Sequence, residues 1–173
     1  MLIGVISDTH LSYLTKNFID LFRDRFLDCD MVVHAGDFTT PAVYYYLNKM
    51  TAGNLVAVCG NMDPPELQKL LPKKIVFEKM GIKFGLIHGW GGPYDLEEKI
   101  EKRFRNDGVK CIIYGHSHNG ANHKRGEILF FNPGSPTDNY SAKANSIGYV
   151  SIQNDDVIGE IITINLLERS PRF

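Results

Sequence analysis

The sequence is poor in cysteine, lacks a long apolar run and shows no excess of basic over acidic residues. Its three cysteines, Cys29, Cys59 and Cys111, form no Cys-x-x-Cys pair, and their odd number argues against a disulfide framework. Buried free thiols in a reducing compartment are the expectation. The apolar stretch 1–6 lacks a basic flank and is too short for a signal peptide or a membrane span. We therefore expect a cytoplasmic protein with no membrane partner.

Lysine and arginine number 19 against 20 aspartates and glutamates, so the formal net charge is −1. Without an overall basic field, no long nucleic acid is expected as a partner. Local basic clusters such as 99–105 are interleaved with acidic residues and indicate a solvated face. The length of 173 residues and the apolar fraction of 43% predict one globular domain over 1–173, with 165–173 as a loosely held tail.

The first third of the chain alternates strand and helix patterns. Short apolar runs predict strands at 2–6, 31–34 and 55–59. A helix is predicted over about 15–27, where aromatic and aliphatic residues recur on one face. A second helix should begin near Pro41 and end before Gly53. This βαβαβ order predicts parallel strands joined by helical crossovers.

The rest of the chain is richer in strand patterns. A hairpin is predicted over 75–88 around Gly81, and Asp95 with Glu98 gives a helix-start signature for a helix to about residue 106. A strand at 110–114 follows, and later segments read as β-structure at 121–125, 127–131, 147–153 and 157–165. Together these elements predict an α/β fold in which two sheets pack into a β-sandwich flanked by helices, a four-layer α/β/β/α arrangement.

Seven residues of metal-binding type follow predicted strands, where an apolar run stops at a glycine or serine. Ligands at the ends of several strands can converge on one point from rigid supports. Each residue alone is weak evidence, because a lone histidine is more often structural and Gly-Asp is usually a turn. The five segments together predict a two-metal hydrolytic site. The seven residues are Asp8, His10, Asp37, Asn61, His88, His116 and His118.

The spacing of these residues suits shared ions. On an extended segment, residues two apart point the same way, so Asp8 and His10 can bind one ion, and His116 and His118 repeat this spacing. A carboxylate such as Asp37 can bridge two cations through its two oxygens. Imidazole, carboxylate and amide donors without thiolate exclude calcium and suit transition metals. We expect two divalent ions, manganese first, with iron, nickel or zinc as alternatives, and no organic cofactor.

The motif series resembles the calcineurin-like metallophosphoesterases, in particular the small bacterial and archaeal branch typified by the YfcE phosphodiesterase. The motifs are Asp-x-His at Asp8, Gly-Asp at Asp37, Gly-Asn at Asn61, His-Gly at His88 and Gly-His-x-His from Gly115, followed by Asn-Pro-Gly-Ser at 132–135. The resemblance covers the chain from residue 8 to residue 135 without large insertions.

This resemblance implies a division of the ligands between two metals. One metal would be held by Asp8, His10, Asp37 and His118, and Asp37 would bridge to a second held by Asn61, His88 and His116. Asp37, Asn61 and His88 are assigned to catalysis as well. The implied reaction is hydrolysis of a small, nucleotide-like phosphoester, most readily a diester, by a hydroxide bound to both metals without a covalent enzyme intermediate.

One position departs from the wider superfamily. Where many members have Gly-Asn-His, with a histidine thought to assist the leaving group, this chain has Met62, which cannot donate a proton. General acid catalysis contributes about 10²–10⁴-fold, so activated diesters should be turned over better than unactivated monoesters. Asp63 is either a substitute acid or, more simply, a turn-stabilising carboxylate before two prolines.

Three further features lie near the predicted site. His34 is either a hydrogen-bonding neighbour of the ligands or a packed strand histidine. Trp90, the single tryptophan, either stacks a nucleobase or aryl group or covers the edge of the core. The segment 132–135 has the composition of a turn and lies where it would shape the pocket.

Two other functions use the same fold or chemistry. The small subunit of the retromer coat has this fold as a protein-interaction scaffold with an altered, inactive site, and the absent acid at Met62 fits that alternative. The retained Asp37, His116 and His118 favour catalysis. A nuclease is the other alternative, restricted to a cyclic or short nucleotide by the missing basic stripe. A homo-oligomer is left open.

Overall fold

The computed structural model describes residues 1–138, 142–154 and 156–165, which form ten strands and four helices besides short turns. In chain order the elements are β1 (Leu2–Ile6), α1 (Lys16–Phe26), β2 (Met31–His34), α2 (Pro41–Met50), β3 (Leu55–Ala57), α3 (Pro65–Leu70), β4 (Lys74–Lys79), β5 (Ile82–Ile87), α4 (Leu96–Phe104), β6 (Cys111–Ile113), β7 (Ala121–Arg125), β8 (Ile128–Asn132), β9 (Ser146–Gln153) and β10 (Asp156–Thr163).

The strands form two mixed five-stranded sheets. In the first, the order is β10-β9-β1-β2-β3, with β1, β2 and β3 parallel and β9 antiparallel to both of its neighbours. In the second, the order is β4-β5-β6-β8-β7, with β5, β6 and β8 parallel. The predicted parallel βαβαβ opening is confirmed. The chain returns to the first sheet only at β9, so its last two strands extend the sheet in which it began.

The two sheets pack face to face around a shared apolar core. Side chains such as Ile3 and Val33 from the first sheet pack with Phe84 and Phe131 from the second. Helices α1 and α2 cover the outer face of the first sheet, and α4 covers that of the second. The predicted four-layer α/β/β/α arrangement is therefore confirmed.

Local sequence signals account for several element boundaries. The Thr15 side chain accepts a hydrogen bond from the Phe18 amide at 3.2 Å and caps α1. Pro41 occupies the first turn of α2, as predicted. The β4–β5 hairpin turns through Met80 and Gly81, which both have positive φ, as a two-residue turn of this kind requires.

Other boundaries differ from the predictions. Helix α3 was not predicted, because six residues are too few to show a helical period. The capping signature at Asp95 is not realised: its carboxylate lies 2.7 Å from the Lys99 ammonium and makes no cap bond. Strand β3 ends at Ala57, two residues earlier than predicted. The predicted tail lies almost wholly outside the described residues, and the single domain stays a prediction. No helix in the described part of the chain combines the length and apolarity needed to cross a bilayer.

Candidate metal centre

All seven predicted ligand residues lie on loops that leave the carboxyl ends of parallel strands. They follow β1, β2, β3, β5 and β6, so both sheets deliver residues to the same edge of the sandwich. Main-chain hydrogen bonds join these loops. The Asp8 amide donates to the Gly36 carbonyl at 2.9 Å, and the Gly115 amide donates to the His88 carbonyl at 3.1 Å. The edge is therefore a set of mutually braced loops rather than independent ones.

Three of the seven residues form one cluster, which we call the Asp8 side: Asp8, His10 and His118. The two imidazole Nε2 atoms are 3.1 Å apart, and Asp8 Oδ1 lies 3.4 Å from that of His118 and 3.8 Å from that of His10. Their donor atoms lie within 4.8 Å of one another, which is close enough to share one ion.

Three others form the Asn61 side: Asn61, His88 and His116. His116 Nδ1 is 3.0 Å from Asn61 Oδ1, and the rings of His88 and His116 meet edge to face at 5.2 Å. His88 also belongs to a tight group with Asp8 and Asp37, because its Nε2 lies 3.9 Å from Asp8 Oδ1. The two sides are thus contiguous.

The carboxylate of Asp37 lies between the two sides. Its Oδ2 is 3.4 Å from His10 Nε2 and 3.3 Å from His88 Nε2, while its Oδ1 accepts a hydrogen bond from the Met62 amide at 2.8 Å. One oxygen is therefore fixed by the main chain, and the other faces an imidazole from each side.

The histidines present lone pairs toward the centre. His88 Nδ1 lies 2.8 Å from the Ala35 carbonyl, and His116 Nε2 lies 2.9 Å from the Gly91 carbonyl. His118 Nδ1 contacts the Asp138 carboxylate. Each of these nitrogens must donate to its oxygen, so in a neutral ring the other nitrogen carries a lone pair, as in metal-bound histidines.

The buried His88 Nε2 is the clearest sign that something should bind here. It has no hydrogen-bond partner within the described residues although it is inaccessible to solvent. Buried polar atoms are otherwise nearly always satisfied. A divalent cation would satisfy this atom, and the surrounding imidazole, carboxylate and amide donors suit a transition metal. The residues present therefore fit such ions.

The electrostatics of the site also favour a cation. Hydrogen bonding to Asp8 raises the pKa of His10, against the effect of burial. Burial lowers the pKa of His88, but the carboxylates of Asp37 and Asp8 outweigh it and the net pKa is raised. Burial raises the pKa of Asp37, but His88 and the Met62 amide outweigh it and the net pKa is lowered. All three shifts favour positive charge beside the carboxylates.

The backbone at the ligands is not extended, contrary to the prediction. Among the described residues nine non-glycine residues have positive φ, and five of them are candidate ligands: Asp8, His10, Asp37, His116 and His118. Aspartate and histidine are among the few types that tolerate this region. Residues two apart do reach the same centre, but they do so through left-handed turns rather than through strand alternation.

Two glycines allow the loops to approach the carboxylates. A Cβ at Gly115 would lie 2.0 Å from Ser7 Oγ and 2.6 Å from Asp8 Oδ2. A Cβ at Gly60 would lie 2.0 Å from Asp37 Oδ1. The glycines that precede Asn61 and His116 are therefore required for space.

Some positioning residues were not predicted. Asp138 contacts His118 from a separate loop, and Ser7 Oγ donates to Asp8 Oδ2 at 2.6 Å. Ser135, at the end of the predicted 132–135 turn, donates to the Asp8 carbonyl at 2.7 Å. A Ser-x-x-Asp spacing from Ser135 to Asp138 marks a turn in the sequence but gives no hint of contact with a histidine.

The neighbouring residues resolve as follows. Asp63 is buried and accepts hydrogen bonds from the amides of Asp37, Thr39 and Gly60, which confirms the turn-stabilising interpretation. His34 is buried and stacks on Phe38 with ring centroids 3.5 Å apart. It also accepts a hydrogen bond from the Gly36 amide at 3.1 Å and lies 3.4 Å from Thr9 Oγ1, so it is both a packed strand histidine and a hydrogen-bonding neighbour of the ligand loops.

Comparison with known proteins identifies the family. The model of the calcineurin-like phosphoesterase superfamily domain matches residues 1–155. A probable metallophosphoesterase of Methanocaldococcus jannaschii is 37% identical over 139 residues, 79% of this chain and 69% of that protein. A phosphodiesterase of the same archaeon is 27% identical over 147 residues, 78% of this chain and 83% of that protein.

Solved structures share the fold. A predicted phosphoesterase from Streptococcus pneumoniae is 26% identical with a TM-score of 0.72, over 94% of this chain and 88% of that one. Vps29 of Entamoeba histolytica, crystallised with Zn²⁺, is 24% identical with a TM-score of 0.72, over 95% of this chain and 100% of that one. The second likeness concerns the fold alone.

Proposed function

The chain belongs to the calcineurin-like phosphoesterase superfamily, and we propose that it is a metal-dependent phosphodiesterase that hydrolyses small phosphoesters. The observation that carries this proposal is the position of Asp37. One of its oxygens faces His10 and His88 at 3.4 and 3.3 Å, which is what a carboxylate shared between two ions needs. A relative named a phosphodiesterase, 27% identical, supports the choice of reaction.

The ligands divide as the family resemblance implies. Asp8, His10 and His118 would hold one ion, Asn61, His88 and His116 a second, and Asp37 would serve both. When bound, two divalent cations would lower the pKa of a water and neutralise charge on the phosphoryl oxygens. Manganese is our first candidate, with iron, nickel or zinc as alternatives.

The protein residues have a positioning role in this reaction. The Met62 amide holds one oxygen of Asp37, and the Ala35 carbonyl fixes the tautomer of His88. Such constraints keep the donors aligned, so that little reorganisation is needed during the reaction. Asn61 contributes an uncharged oxygen, which limits the negative charge facing an anionic phosphoester.

The preference for a diester depends on Met62. Its side chain is 59% exposed at the rim of the centre and cannot protonate a leaving group. The nearby Asp63 does not replace it, because main-chain amides occupy its carboxylate. Substrates with good leaving groups should therefore be hydrolysed best.

A paired measurement of metal content and turnover tests the proposal. The purified protein, loaded with Mn²⁺, should bind about two ions per chain and hydrolyse bis(p-nitrophenyl) phosphate. Asp37→Asn should lower the stoichiometry and reduce turnover by more than the roughly 100-fold that removal of an outer hydrogen-bond partner costs. Asp156→Asn, an exposed carboxylate remote from the centre, is the control. An Asp37→Asn variant with both ions and full turnover would overturn the proposal.

A protein-interaction scaffold is the second candidate function. It is favoured by the shared fold with Vps29 and by the missing acid at Met62. Since a Vps29 has been crystallised with Zn²⁺, bound metal alone does not separate the two functions. Turnover does: a metal-loaded protein that hydrolyses no activated mono- or diester would favour the scaffold.

A further inference from the structure

A cavity of about 570 Å³ opens directly beside the Asn61 side of the metal centre. It is lined by Asn61, His88, Gln68, several apolar and small residues, and also by Lys73, Lys74, Trp90 and Arg103. We call these last four residues the basic groove. Its volume lies within the range of small-molecule sites and is large enough for a nucleotide.

The charge of the basic groove contrasts with that of the whole chain. Three of its lining residues are basic and none is acidic, although the chain has a formal net charge of −1. Lys74 is engaged with the Asp107 carboxylate at 2.5 Å and the Arg103 carbonyl at 2.7 Å. Lys73 and Arg103 are exposed and form no salt bridge with any described residue, so their charges are available to an anion.

Trp90 gives the groove an aromatic surface. Its side chain is 40% exposed, and the Arg103 guanidinium lies 5.7 Å from the ring centroid. The loop that carries it is fixed to the centre, because the next residue, Gly91, accepts a hydrogen bond from His116. An indole beside a guanidinium is a combination on which nucleobases stack.

From this arrangement we infer that the basic groove binds the nucleotide portion of the substrate. The base stacks on Trp90, and a phosphate group lies between Lys73 and Arg103. A free inorganic anion would make no use of the indole, and an uncharged aromatic group would make no use of the two cations. The inference rests on the proposed function only in that the bound nucleotide extends toward the metal centre.

The single tryptophan makes binding directly observable. Adenosine monophosphate, added to metal-free protein in the presence of a chelator, should quench Trp90 fluorescence to saturation. Adenosine and inorganic phosphate should each bind at least about tenfold more weakly, because each lacks one of the two contacts. Equal responses to all three, or none that saturates, would overturn the inference.

Substitutions assign the contacts. Arg103→Ala should weaken adenosine monophosphate binding about tenfold, whereas Arg105→Ala, two residues further along, should leave it unchanged. By calorimetry Trp90→Ala should weaken binding about tenfold and Trp90→Phe much less, because phenylalanine keeps an aromatic face. If Arg103→Ala and Arg105→Ala behave alike, the groove is not the binding site.

These measurements separate the groove from the reaction. Binding without metal and without any phosphoester turnover would support the groove and reject the proposed function. Turnover of bis(p-nitrophenyl) phosphate without nucleotide binding would reject the groove and leave the proposed function standing.

Discussion

The imidazoles on the two sides of the metal centre are oriented by different kinds of oxygen. On the Asp8 side, His118 contacts the side-chain carboxylate of Asp138. On the Asn61 side, His88 and His116 contact the main-chain carbonyls of Ala35 and Gly91. A carboxylate can be removed by substitution and a carbonyl cannot. The Asp8 side is therefore the one that a single outer substitution can misalign.

The two sides also differ in the segments that adjoin them. The Asp8 side is braced by the segment after β8, where Ser135 donates to the Asp8 carbonyl and Thr137 donates to the Thr9 carbonyl. The Asn61 side opens into the basic groove, with Asn61 exposed at its rim. If the proposed function is right, the Asn61 side is the one that a substrate would reach through the basic groove.

The largest expected effect is on the turnover of substrates with different leaving groups, which would reach the centre from the Asn61 side. With Met62 in place of an acid, an aryl diester with a nitrophenyl leaving group should turn over at least about 10²-fold faster than an alkyl one. Rates for a series of diesters, plotted against leaving-group pKa, measure this. A rate that does not depend on leaving-group pKa would mean that another group on the Asn61 side donates the proton.

The next effect tests the difference between the carboxylate that orients His118 and the main-chain carbonyls that orient His88 and His116. Asp138→Asn should lower metal affinity or turnover by about 10–100-fold, because a neutral amide accepts more weakly from His118 than a carboxylate does and can present its NH₂ group instead. Isothermal titration calorimetry with Mn²⁺ should show a lower affinity for one ion and an unchanged affinity for the other. Asp156→Asn serves as the matched control, and equal weakening of both ions would remove the distinction between the sides.

A smaller effect compares the two glycines. Ala at Gly115 on the Asp8 side, or at Gly60 beside Asp37, should lower the free energy of unfolding by about 1–3 kcal/mol through overpacking. Gly60→Ala should be the costlier change, since its Cβ would also lie 2.5 Å from the Asp37 main-chain nitrogen. Denaturant unfolding measures both.

The matched glycine control is Gly92→Ala. A Cβ there meets nothing within 4 Å, so stability should change by less than about 0.5 kcal/mol. If Gly60→Ala were as harmless as Gly92→Ala, the close approach of the loop to Asp37 would not be needed.

The smallest expected effect is a pH-dependent change in the free energy of unfolding, and it concerns a contact behind the loop that serves both sides. Tyr114, next to the loop that carries His116 and His118, donates to Glu97. Burial raises the pKa of Glu97, but hydrogen bonds from Tyr114 and Arg125 outweigh it and the net pKa is lowered. Its stabilisation, about 1 kcal/mol, is present above the ordinary glutamate pKa and is lost as pH falls through the lowered folded pKa.

Unfolding of metal-free protein at several pH values tests this. The stability difference between wild type and Glu97→Gln should shrink on acidification from about pH 5. Glu127→Gln, on the surface, should show no such trend. A difference independent of pH would mean that Glu97 acts through packing rather than charge.

The sequence was most informative where strands end. Apolar runs that stop at Gly or Ser predicted the two-sheet arrangement and brought all seven ligand candidates to one edge. Their roles as ligands stay a prediction. Residues at strand ends can be predicted because the apolar run of the strand and the glycine or serine that ends it are both local sequence signals.

Contacts that depend on distant segments could not be predicted. Asp138 lies 20 residues beyond His118 on another loop. The carbonyls of Ala35 and Gly91 carry no side-chain signature at all. The basic groove joins the start of β4 to the end of α4, and in sequence its lysines and Arg103 fall in clusters that indicated only a solvated face.

The left-handed backbone at five ligand candidates sets stability and activity against each other. Such φ values cost a residue with a Cβ about 1 kcal/mol each, which glycine avoids. A library selected only for folded protein should therefore accumulate glycine or asparagine at Asp8, His10, Asp37, His116 and His118. A lineage no longer selected for metal binding would be expected to replace these five residues and gain stability. Their substitution in a homologue would therefore indicate loss of function rather than loss of stability.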